Sequence, residues 1–167
     1  GALTLSGVST YTGTPQIDAG SLVVNGSIAN SAVTVGNRAR LGGSGTVGAT
    51  TVASGGVLAP GNSLGSLRVA GDFTLAAGGT LDYELGGRGT RASGPGASDH
   101  LEVTGNVALD GALALSDPGG IAGLGYSRLI SYGGLLSGGG NDVAGRTLSA
   151  HGETPKIVDG DDPRAAI

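Results

Sequence analysis

Five short stretches of this chain repeat one plan. "IDAGSL" (17 to 22), "VGNRARL" (35 to 41), "VASGGVL" (52 to 58), "LAAGGTL" (75 to 81) and "LDGAL" (109 to 113) each run from an apolar residue, through a small turn with Gly or Asn, to a Leu. From Leu22 the closing leucines recur at Leu41, Leu58 and Leu81, in steps of 19, 17 and 23 residues. A quasi-period near 20 marks stacked units, because one such unit cannot bury its apolar face alone and its neighbours complete the core. Gly and Asn suit the corners because they tolerate the positive φ that a tight turn needs.

Between the corners, apolar residues fall two apart: Leu3/Leu5, Leu22/Val24, Val33/Val35, Leu67/Val69, Phe73/Leu75, Leu81/Tyr83/Leu85, Leu101/Val103, Val107/Leu109 and Leu113/Leu115. Period two is the pattern of a strand with one buried face. No stretch before residue 140 has the i, i+3, i+4, i+7 spacing of an amphipathic helix, and Gly is too frequent for a helix to persist. The expectation is an all-β chain in which strand, corner, strand, corner makes one rung of a parallel β-helix (solenoid). The competing architecture, a β-sandwich built of hairpins every 8 to 12 residues, does not require the same corner to return at the same phase.

Composition agrees with a layered aliphatic core. Gly occurs 36 times, about a fifth of 167 residues against roughly 7% in ordinary proteins, yet there is no collagen-like triplet and Pro is only 6. With 38% hydrophobic and 13% charged residues, the chain has enough apolar surface to fold. One Phe, four Tyr and no Trp or Met leave Leu, Val, Ile and Ala to fill the interior. Eight Arg and one Lys are scattered singly within a net charge of −4, so there is no basic stripe for nucleic acid or an anionic membrane. Cys is absent, which excludes disulfides and thiolate metal sites.

Four stretches resemble a known family. "LTLSGVSTYTGTPQIDAGSLVVNGSI" resembles the autotransporter-associated β-helix repeat of bacterial surface proteins, with its Leu-Thr-Leu strand, Tyr-Thr-Gly turn and Ala-Gly-x-Leu corner. "GGSGTVGATTVASGGVLAPGNSLGSLRVAGDFTLAAGGTLDYEL", followed by "SDHLEVTGNVALDGALAL", is similar to the pertactin-like C-terminal region of secreted passengers, and "YSRLISYGGLLSG" to the strand and Gly-rich turn that close it. The resemblance covers residues 1 to 140. It implies a right-handed, single-stranded parallel β-helix stem outside a Gram-negative outer membrane, acting as folding seed, or autochaperone, for the rest of its passenger. The partners it implies are that passenger and a C-terminal outer-membrane β-barrel. Residues 141 to 167 are too short for such a barrel, and one Phe with no Trp could not build its aromatic girdles.

The organisation expected is therefore a stem over 1–140, a projecting loop over 86–98 ("GGRGTRASGPGAS"), and an irregular cover or tail over 141–167. The chain opens at Gly1-Ala2-Leu3 already in a strand-like pattern, with neither signal peptide nor initiating Met, and reads as a piece of something longer. An open N-terminal rung presents an unpaired edge, so end-to-end self-association is expected.

Catalytic motifs are matched by chance in so Gly-rich a sequence. Gly61-Asn62-Ser63-Leu64-Gly65 fits the GxSxG nucleophile elbow, and Asp99, His100 and His151 follow in a suitable order. An elbow, however, needs a strand before it and a helix after it, and "SLRVAGDFTL" after the motif is strand-like. Pro60, Gly61, Asn62, Ser63 and Gly65 read instead as a structural corner, with Asn62 and Ser63 hydrogen-bonding turn amides. Gly43 to Gly48 fits GxGxxG but opens no helix. Asp159-Gly160-Asp161-Asp162 matches no Ca²⁺-loop spacing and reads as a solvated turn. Asp82 and Glu84 share the outward face of the strand whose Leu81, Tyr83 and Leu85 point in. No cofactor and no metal is expected, and no catalytic residue is assigned. The function expected is a structural stem. An adhesin surface, with loop 86–98 meeting a host ligand, is the alternative, and a carbohydrate-active or serine hydrolase is the remaining enzyme class.

Overall fold

The computed structural model describes residues 1–86, 98–116 and 128–138, and every described element is a strand. The chain runs in successive circuits. The first contains β1 (Ala2–Leu5) and β2 (Gln16–Ile17), and the second β3 (Gly20–Val24), β4 (Ser27–Ile28) and β5 (Val33–Val35). The third contains β6 (Ala39–Gly43) and β7 (Thr46–Val52), and the fourth β8 (Val57–Pro60) and β9 (Ser66–Leu75). The fifth contains β10 (Thr80–Glu84), β11 (His100–Val103) and β12 (Val107–Leu109), and the sixth β13 (Ala112–Ser116), β14 (Ile130–Tyr132) and β15 (Leu136–Ser137).

All pairs between these strands are parallel and join one circuit to the next. One sheet has the order β1-β3-β6-β8-β10-β13. The second has nine strands and divides into two columns where its long members bend. β7 shifts register between Gly48 and Thr50, and β9 turns at Gly71, whose φ is 145°. The first halves of β7 and β9 stack with β4, β11 and β14, and the second halves with β2, β5, β12 and β15. Circuits two to six thus visit three columns in one cyclic order, and the first meets the second column through the isolated bridge between Val8 and Ser27. Two strands per rung were expected from the sequence, and the third column is a correction. It was hidden because β2 and β4 have two residues each, too few to show alternation.

The repeated leucines become a ladder. Leu3 pairs with Leu22, Leu22 with Leu41, Leu41 with Leu58, Leu58 with Leu81, and Leu81 with Leu113. The last step is the longest because its circuit contains residues 87–97. A second ladder runs Ile17, Val35, Val52, Leu75, Leu109, and a third runs Ile28, Val47, Val69, Val103, Tyr132. Most of these side chains belong to a single buried cluster between the columns. Burying one Leu or Val fully contributes about 1.5–3 kcal/mol, so identical side chains stacked in register stabilise each circuit through its neighbours. Tyr83, expected to point inward, is fully buried with Leu81, but its hydroxyl has no hydrogen-bond partner among the described residues. Burial, and then the charge of Asp99, push its phenol well above the usual tyrosine value. Tyr83→Phe removes an unsatisfied polar atom at almost constant shape, and a gain of about 1 kcal/mol is expected in urea unfolding.

At one corner four residues stack with left-handed backbone: Gly20, Arg38, Gly55 and Gly78. They are joined by N–H to carbonyl bonds from Gly20 to Arg38, Arg38 to Gly55 and Gly55 to Gly78. In the corner "VGNRARL" it is Arg38, at φ 65°, that takes the conformation expected of its Gly or Asn. The stack above and below dictates which position must be left-handed. A side chain there costs about 1–2 kcal/mol, so Arg38→Gly should raise the unfolding free energy by roughly 1 kcal/mol once the entropy of glycine is subtracted.

Candidate functional site

The GxSxG corner joins β8 to β9, and among the described residues no helix lies beside it. Pro60 closes β8 opposite Gly43. Gly61, at φ 84°, exchanges backbone hydrogen bonds with Gly43, donating at 2.9 Å and accepting at 3.1 Å. The left-handed residue turns the chain from the first column towards the second. The Asn62 amide donates to the Asn25 side-chain oxygen at 2.9 Å, and Asn25 also accepts from the Ser44 N–H at 3.3 Å. The Asn25 side chain thereby links three successive corners, through the Asn62 side chain and the Ser44 backbone. The Ser63 hydroxyl donates to the Glu84 carboxylate at 3.3 Å on an exposed surface. Both side chains were expected to bond turn amides and instead bond side chains of other circuits.

Among the described residues, no catalytic arrangement forms around Ser63. Asp99 is only 2% exposed, and both carboxylate oxygens accept backbone N–H groups, from Gly65 at 3.0 Å and from Glu84 at 2.8 Å. Its own N–H donates to the Glu84 carbonyl at 2.9 Å. Asp99 therefore staples the corner to the end of β10. Desolvation pushes its carboxyl above the ordinary aspartate value, the bonds from Glu84 and Gly65 pull it back, and the charges of Glu84 and Asp82 raise it further. The His100 Nε2 lies 3.1 Å from the Ser131 hydroxyl on β14, so the ring faces the next circuit rather than Ser63. His151 and Asp159 to Asp162 lie outside the described residues.

Burial, and then the charge of Arg128, lower the His100 pKa against the pull of Glu102. The fold prefers the neutral ring, while in the unfolded chain the imidazole titrates near 6.5. As pH falls below that value the unfolded state binds the extra proton first, so this contribution to stability is complete above about 6.5 and shrinks towards the depressed folded value. His100→Gln should flatten the acid limb of a stability–pH curve in that window.

The other motifs resolve as packing. Gly45 and Gly48 of the GxGxxG match lie on either side of the entry to β7, where a Cβ would overlap the carbonyl oxygens of Gly26 and Ser31 in the circuit before. Asp82 faces outward and pairs with Arg40 at 2.7 Å, and Arg68 pairs with Glu102 at 2.6 Å. Both pairs cross between circuits at the surface, where each contributes at most about 1 kcal/mol. A shallow groove of about 200 Å³ runs along the first column beside Arg40, Asn62, Ser63, Asp82 and Glu84, where Arg40 is bonded to Asp82 and Ser63 to Glu84. Among the described residues no group of His, Cys, Asp or Glu is arranged to hold a metal ion. Loop 86–98 falls almost wholly within 87–97 and, like 141–167, lies outside the described residues.

No family model matches the chain. Over 94 residues, 55% of its length, the sequence is 42% identical to "Adhesin BmaC autotransporter" of Brucella suis biovar 1 (strain 1330). The chain spans 3% of the length of that protein.

Proposed function

We propose that this chain is part of a right-handed parallel β-helix stem in an autotransporter passenger, outside a Gram-negative outer membrane, where it acts as spacer, folding seed and platform. The observation that carries this reading is the cyclic order of three parallel columns. A chain that returns to the same column once per circuit makes a parallel crossover each time, and such crossovers are right-handed in nearly every case. The 42% identity to an autotransporter adhesin supports the assignment to a passenger. The partners are then the rest of the passenger and a C-terminal outer-membrane β-barrel. In this reading Pro60, Gly61, Asn62, Ser63 and Gly65 are a structural corner and the chain carries no catalytic centre.

Seeding follows from stacking. A completed circuit offers a row of N–H and C=O groups and a ladder of apolar side chains, so it templates the next circuit in register. In the full-length protein, deletion of residues 101–140 should reduce surface display and slow refolding of the passenger. Unchanged display and refolding would contradict the seeding role. The name of the relative favours one second reading, an adhesive surface. Binding to host cells by the chain with and without residues 86–98 tests it, and equal binding or none would remove loop 86–98 as the contact.

A further inference from the structure

The groove on the first column is built by the second to fifth circuits, inside the stack. Register sets its floor. Val23 pairs with Gly42 and Gly42 with Ala59, and because Leu58 pairs with Leu81, Asp82 comes alongside Ala59. The outward row across the sheet is then Val23, Gly42, Ala59 and Asp82, with two residues of little or no side chain between two larger ones. Gly42 is buried and Ala59 is only 6% exposed, although strand alternation turns both away from the core, so they lie at the bottom of a depression.

The walls are polar and fixed by their own bonds. Arg40, two residues before Gly42 on the same face, reaches Asp82 at 2.7 Å across the intervening strand β8, a span of two strand spacings or about 10 Å. Ser63 bonds to Glu84 and Asn62 to Asn25. Each group keeps further bonding capacity. Among the described residues the Arg40 guanidinium uses one nitrogen, Asp82 and Glu84 one oxygen each, and Asn62 only its Nδ2. The backbone has none to offer, since β6 and β8 have a paired strand on both sides, so a peptide cannot join here as an added strand.

We propose that this groove is a non-catalytic subsite for one neutral hexose unit of a glycan. A sugar hydroxyl both donates and accepts, which fits a rim where guanidinium and amide donors stand beside carboxylate acceptors, and the C–H face of the ring fits the floor of Gly42 and Ala59. The groove, about 200 Å³, is smaller than the roughly 300–1,000 Å³ of pockets for larger ligands and takes a single ring. Charge selects against acidic sugars, because Asp82 neutralises Arg40 and Glu84 leaves a negative excess. The rim side chains are paired before the ligand arrives, so little of their freedom is lost on binding. The site involves neither loop 86–98 nor the seeding role, and its test is separate from theirs.

Methyl glucoside, methyl galactoside and methyl mannoside, each titrated into the isotopically labelled protein, should identify at least one ring that shifts the Gly42, Ala59, Asn62 and Ser63 amide resonances saturably at millimolar concentration. The uronide of that ring should bind more weakly. Ala59→Leu fills the floor and leaves every rim group, and Arg40→Gln removes the guanidinium at an exposed position. Each should weaken binding roughly tenfold or more, while far-UV circular dichroism stays that of the parent. No saturable shift with any of the three glycosides overturns the proposal, as do shifts that neither variant weakens. A uronide that binds more tightly than its parent sugar overturns the neutral ligand. Shifts at these amides with trilysine and with no glycoside would mark a surface for cationic peptides and overturn the saccharide.

Discussion

Phe73→Ala should cost about 3–5 kcal/mol of unfolding free energy, the range for removing a buried aromatic ring. Phe73 is the chain's one phenylalanine and is 1% exposed. It stands on β9 between Thr50 in the circuit before and Val107 in the circuit after, just past the bend at Gly71. Its neighbours are held by two circuits and cannot collapse into the space. Phe73→Leu keeps most of the volume and should cost less than about 1.5 kcal/mol. Equilibrium urea unfolding of the two variants measures both values. A loss below 1 kcal/mol for Phe73→Ala would mean that the interior at this level is not packed as described.

Asp99→Ala should cost about 2–6 kcal/mol, because it leaves the N–H groups of Gly65 and Glu84 without acceptors, at about 1–3 kcal/mol each. Asp99→Asn keeps one acceptor and turns an NH₂ towards the other N–H, so an intermediate loss is expected. Hydrogen exchange localises the effect: the Gly65 and Glu84 amides should lose protection in Asp99→Ala before those of Leu41 or Leu58. Full protection at Gly65 in that variant would remove Asp99 as the staple of the corner. A catalytic Asp99 would behave differently, since its loss would affect turnover and leave stability little changed.

The leucine ladder was legible in the sequence because an apolar residue that must face one core at one phase recurs at the spacing of the circuit. The inward set Leu81, Tyr83 and Leu85 was legible for the same reason, through period two. Other features depend on contacts between residues far apart in the chain. Arg38 is left-handed because Gly20 and Gly55 above and below it are, and no local rule selects Arg over the adjacent Asn37. Asp99 next to His100 looks like catalytic chemistry in one dimension, yet its bonds go to Gly65 and Glu84. The Asp before the strand at His100 was the available signal, since such residues commonly accept backbone N–H groups where strands begin or turns close. The third column is hard to read from the sequence for a second reason besides the shortness of β2 and β4: in the third and fourth circuits the turn between columns two and three is only a bend within β7 and β9, marked by Gly48 and Gly71.

The stacking of one circuit on the next is tested most directly by cross-linking, which is clean because the chain has no cysteine of its own. Thr51 and Thr74 are register partners on β7 and β9. Neighbouring strands lie about 4.8 Å apart, within the Cα separation a disulfide spans. Arg68 pairs instead with Thr46, five residues from Thr51 and on the order of 16 Å away along the strand. The double variant Thr51→Cys with Thr74→Cys should oxidise to an intramolecular disulfide with parent-like circular dichroism, while Thr51→Cys with Arg68→Cys should stay reduced. Rapid closure of the Arg68 pair, or none of the Thr74 pair in a folded protein, would contradict the parallel register and with it the stacked circuits.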